Sequence, residues 1–148
     1  MIIIGDELIK FDPIYMANST EKIDEAIIAH AKKEQTKVAH SPINLPLSGT
    51  RLEAIVGFKF NKALIKKAQS VGARMAIFCA DIKEILLANA LKASLIIVPL
   101  SQAKEAVRLA EYYLFDAKIA CVIDSLDGLS ELAEAGVDAA ILKNAIIN

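Results

Sequence analysis

Four short apolar runs decide how this chain folds: MAIFC at residues 75–79, LIIVPL at 95–100, KIACVI at 118–123 and AAIL at 139–142. An amphipathic stretch of helical period follows each of the first three. The spacing predicts helices from Asp81 to about Lys92, from Ser101 to about Leu114, and from Ser125 to Ala135. Gly136 stops the last of them. In the second, Ala103, Val107, Ala110 and Leu114 form one continuous stripe. Strand and helix alternating in this way predict right-handed crossovers and a parallel sheet.

Working back toward the amino terminus, Asn61 is placed to cap a helix carrying Leu64, Ile65, Ala68 and Val71, with Gly72 as its left-handed stop. Thr50 and Glu53 have the spacing of a capping box and suggest a helix through Leu52, Ile55 and Val56. A strand over residues 54–58 competes with it, because a short apolar run does not reveal its period. Residues 41–49, with Pro42, Pro46 and Gly49, read as an irregular connection that packs Ile43, Leu45 and Leu47. A helix capped by Asn18 is expected to end near Glu34, with a short strand at 37–40. The first residues read as a strand, with Gly5-Asp6 turning the chain into a second strand at 7–9. Pro13 breaks any continuation.

The expected fold class is therefore α/β, over residues 1–148 as a single domain. Residues 1–73 form a mixed part and 74–148 a regular part. The sheet is expected to be mainly parallel, with about five strands and helices on both faces, in a Rossmann-like or partial barrel-like succession. Hydrophobic residues make up 55% of the chain and aromatic ones only 5%. Aliphatic side chains thus carry the apolar load, as a covered parallel sheet requires.

A net charge of -1 excludes the basic footprint that nucleic acid needs. Lys59, Lys62, Lys66 and Lys67 read as a solvated helix face. No apolar run is long enough for a membrane span, and the run from Met1 is too short for a leader peptide. Cys79 and Cys121 lie in predicted buried strands without a CxxC spacing. Two reduced thiols in a cytoplasmic protein are expected.

A site on such a sheet lies at the carboxyl ends of its strands. The residues there are Asp81, Ser101, Asp124, Ser125, Lys143 and Asn144. Asp81, Ser101 and Ser125 each precede a helical stripe, where a cap is worth about 1 kcal/mol without any ligand. A phosphate could use the helix ends and Lys143. However, no strand-to-helix turn contains a glycine, and Asp81 and Asp124 oppose an anion. Mg²⁺ between Asp81 and Asp124 is a further reading. His30 and His40 stand apart, so no zinc site is expected, and His30 reads as a surface or boundary residue. The S-x-x-K match at Ser101 lacks its partner motifs. Cys79 is the better nucleophile candidate, because the following helix could activate it, although a buried inert thiol fits it more simply. No metal or cofactor is expected.

Residues 120–147 resemble the last βα unit of phosphate-binding (β/α) barrels such as those of histidine biosynthesis. Ser125, Leu126, Leu129, Leu132, Gly136-Val137-Asp138, Ile141 and Ala145 carry the likeness. It implies a barrel-like succession. The glycines that cradle phosphate in that family are replaced here by Val122-Ile123-Asp124 and Lys143-Asn144, and the chain is too short for a full eight-stranded barrel.

The leading expectation is a binding or assembly domain that acts through protein contacts, as a homo-oligomer or with a protein partner. Phe58, Phe60, Tyr112, Tyr113 and Phe115 exceed what a small core needs. The alternatives are a small-molecule ligand, phosphate-bearing or not, bound or turned over at the strand ends, and a domain that has lost its activity and acts as a regulatory partner.

Overall fold

A computed structural model describes residues 1–39 and 54–148. Eight strands form one sheet: β1 (Ile2–Ile4), β2 (Ile14–Met16), β3 (Ile55–Lys59), β4 (Arg74–Phe78), β5 (Leu95–Ile97), β6 (Lys118–Ile123), β7 (Ala139–Leu142) and β8 (Ile146–Ile147). All pairings are parallel, and the order is β1-β7-β6-β5-β4-β3-β2-β8. The helices are α1 (Thr20–Ala39), α2 (Lys62–Ser70), α3 (Ile82–Ala90), α4 (Leu100–Tyr112) and α5 (Leu129–Ala135). The α/β class with a parallel sheet is as expected, with eight strands instead of about five.

The sheet is curled. In a flat sheet β7 and β8 would stand six strand spacings apart, about 29 Å. Yet Leu142 and Ile146 are separated by four Cα steps, which span about 15 Å at most. The two ends of the sheet therefore approach each other across this short link.

Packing shows the same curvature. Ile14, Ile55, Ala76, Leu95, Ala120 and Ile141, one from each of β2 to β7, belong to a single buried cluster. Among the described residues, no α-helical one takes part in it, so the strands bury these side chains against one another across a concave face. Small residues make this possible: Ala76, Ala120, Ala139 and Ala145 are fully buried, and a Cβ on Gly57 would lie 2.8 Å from the Ile14 side chain.

The convex face carries the helices. Ile23, Leu64, Ile85, Ala106 and Leu132, one from each helix, pack with Val56, Ile77, Ile96 and Ile119 of the sheet. Among the described residues the helices pack on this one face, where helices on both faces were expected. The second layer is the sheet itself, and the barrel-like succession describes the chain better than the Rossmann-like one.

Local chemistry explains the elements. Asn61 caps α2 by accepting from Ala63 N and Leu64 N, and Gly72 and Gly136 take the left-handed conformations that end α2 and α5. The competing strand reading of residues 54–58 holds as β3, while residues 50–53 lie outside the described residues, as does the connection at 41–49.

Other expectations are overturned. No strand forms at 7–9; instead Asp6 Oδ1 accepts from Leu8 N at 2.8 Å, and β1 finds a parallel partner in β7. The chain then re-enters the sheet as β2 directly after Pro13, whose missing N–H costs nothing ahead of a strand. Residues 37–39 continue α1, whose helix-favouring Ala, Lys, Glu and Gln residues extend it beyond Glu34. Residue 40, the other end of that expected strand, lies outside the described residues. His30 is 3% exposed, one turn beyond Ala26 on the inward face of α1, with its ring edge-on to Tyr15 at 6.0 Å.

Candidate functional site

Because every strand is parallel, all carboxyl ends open on one rim. The six residues expected there meet different fates. Asp81 caps α3, its Oδ1 accepting from Glu84 N at 2.9 Å, while Glu84 Oε1 accepts from Ala80 N at 2.9 Å. Asn144 Nδ2 donates to Gly5 O at 2.7 Å, which ties the β7–β8 link to the turn after β1. Asp124 and Lys143 form an ion pair. They follow the cross-strand partners Ile123 and Leu142, so the register itself sets them side by side.

The two serines are corrected. Ser101 is the second residue of α4, not its cap. The helix starts at Leu100 behind Pro99, which fixes the extended entry but offers no side-chain acceptor. Ser125 precedes a 3-10 turn at Leu126–Gly128 and makes no capping bond. Asp81 is engaged on α3 and Asp124 on Lys143, and no cluster of three metal-ligating residues occurs among the described residues.

What the rim does hold is a cavity of about 600 Å³ at the carboxyl ends of β3 to β6. Strand alternation builds it. Lys59, Phe78, Ile97 and Val122 are the last side chains that β3, β4, β5 and β6 turn toward the concave face, two residues on from Gly57, Ala76, Leu95 and Ala120. Register places Lys59 beside Phe78 and Phe78 beside Ile97. Phe60, Pro99 and Leu100 complete an apolar wall, with Cys79 and Glu84 at one side.

Lys59 was read as part of a helix face; it is the last residue of β3, and α2 begins only at Lys62. The expected positions lie beyond the strand ends: Asp81 is three residues after Phe78, Ser101 four after Ile97 and Asp124 two after Val122. The missed signal is the last inward residue of a strand, which is visible once the period-two face is fixed.

Cys79 is buried on the helix-facing side, and its Sγ lies 3.7 Å from Ile77 O. Burial, then the carboxylates of Glu84 and Asp81, push its thiol up to about 12. It carries almost no thiolate at neutral pH, so the nucleophile reading lacks its reactive form. Burial likewise lifts Cys121 to about 11.

A second cavity, of about 660 Å³, lies at the amino ends of the strands. Arg74 Nη2 pairs there with Asp12 Oδ2 at 3.3 Å and ties the segment before β2 to the start of β4. That end of a parallel sheet is where stability features gather.

No protein-family model matches the chain, and no curated protein is detectably similar to it. Among the described residues, no helix is long and apolar enough to cross a membrane.

Proposed function

We propose that the chain binds a small, largely apolar molecule at the carboxyl-end mouth of its curled sheet. The apolar cavity walled by Phe78, Ile97, Pro99, Leu100 and Val122 carries this reading. Such a pocket, with a few polar groups at its edge, suits a ligand of drug size. The neighbouring thiol lacks its ionised form, and Glu84 is held by a backbone N–H, so binding is favoured over covalent catalysis. A bound phosphate is disfavoured, because the acids of Asp81 and Glu84 stand close by, and the glycine of the β6–α5 turn, Gly128, packs against Ile123. Two reduced cysteines suit a cytoplasmic setting.

The neutral fluorophore N-phenyl-1-naphthylamine tests the reading. It should bind saturably with one site per chain. Val122→Trp should fill the cavity and weaken binding at least about tenfold, with circular dichroism unchanged. Equal binding to the variant, or none to the parent protein, overturns it.

Assembly is a second reading, and one patch favours it. Tyr112, Tyr113 and Leu114, at the end of α4, are 79%, 59% and 84% exposed. Three consecutive exposed apolar side chains are unusual on a monomer. Light scattering should then show a mass that rises with concentration and falls back in Leu114→Ser. A constant monomer mass at every concentration would remove this reading.

A further inference from the structure

We infer that the molecule held at the mouth is an apolar monocarboxylate whose acid group sits on Lys59. The inference rests on the ligand-binding reading above and specifies its chemistry.

Three observations converge on it. First, the walls contributed by Phe78, Ile97 and Val122 offer no hydrogen-bonding side chain, so the body of the ligand must be apolar. Second, the cations near the mouth are not equivalent. Lys143 is neutralised by Asp124, whereas Lys59 has no ion-pair partner among the described residues. Its backbone is fixed by pairing with Phe78, so the side chain rises from the edge of the apolar wall. Third, the cavity is negative where β4 leads into α3: Glu84 lines it, and Asp81 lies one residue beyond Ala80. A ligand with one acid can place it at Lys59 and lay its apolar body over Phe78, Ile97 and Val122.

A dianionic phosphate lacks that option. It would need more donors than one ammonium supplies, and it would meet the acids with twice the charge. Burial of the apolar body supplies most of the affinity, and the charge selects among apolar bodies.

The test compares 4-phenylbutyrate with its neutral amide, 4-phenylbutyramide, by calorimetry on the intact protein. The carboxylate should bind about three- to tenfold tighter than the amide, as expected for one partly exposed ion pair. Raising the salt concentration should shrink that gap. Lys59→Met should abolish the preference, the acid then binding no tighter than the amide; because Lys59 is exposed, the variant should fold as the parent does. Equal binding of acid and amide to the parent protein, or a preference that survives Lys59→Met, overturns the monocarboxylate assignment while leaving the cavity as a binding site. Absence of binding by either compound overturns the ligand-binding reading and this inference with it.

Discussion

Gly5→Ala is expected to lower the stability of the protein by about 3 kcal/mol or more. Two costs combine. Gly5 has φ +108, which side-chain-bearing residues rarely adopt. A Cβ built there would also lie 2.6 Å from Asn144 Oδ1, 2.9 Å from Leu142 Cβ and 3.1 Å from Ala145 Cβ. Two of these neighbours are themselves Cβ atoms, so relief requires the backbone of the β7–β8 link to move. That link brings the two ends of the sheet together. Asn144→Ala separates the terms: it removes the hydrogen bond to Gly5 O and should cost only about 1 kcal/mol. Urea denaturation of the three proteins measures both. A Gly5→Ala protein as stable as its parent would show that this contact does not hold the seam.

The same seam marks where the sequence stopped being readable. Residues 75–79, 118–123 and 139–142 were legible as strands because each is a continuous apolar run bounded by helix signals. Asn61, Gly72 and Gly136 were legible because caps and left-handed stops are local chemistry. β2 and β8 were not. Each is only two or three residues long, and each exists through partners far away in the chain, Ile14 pairing with both Ile55 and Ile146. Curvature was hidden for a related reason. An alanine at 76, 120 or 139 carries no signal by itself. Its meaning as a narrow interior appears only when register brings these positions onto one face.

The site follows the same division. Its location at the carboxyl ends came from the parallel order alone. Its residues did not, because Ser and Asp beside a turn draw attention that Phe78, Ile97 and Val122 do not. Two of the polar candidates make hydrogen bonds within the fold, Asp81 as a cap and Asn144 to Gly5. The cavity is lined instead by side chains two to four residues before the expected positions, where the concave face ends.

Phe58→Ala is the second large expected effect, at about 3–5 kcal/mol of lost stability. Phe58 is 1% exposed and is among the largest fully buried side chains. It packs on the helix-facing side of β3 with the cluster that holds Leu64 and Ile77. Truncation leaves a void that the surrounding helices and strands fill only in part. A loss below about 1 kcal/mol in urea denaturation would show that this region collapses freely and is not close-packed. The neighbouring Lys59→Met should leave the unfolding midpoint unchanged. The contrast follows from the pleat: adjacent residues of β3 point to opposite faces, one into the layer that holds the helices on, the next to the rim of the cavity. A single strand thus carries a residue that maintains the fold beside one proposed to select the ligand. Substitutions at 58 and 59 should therefore separate stability from binding, although the two positions share a peptide bond.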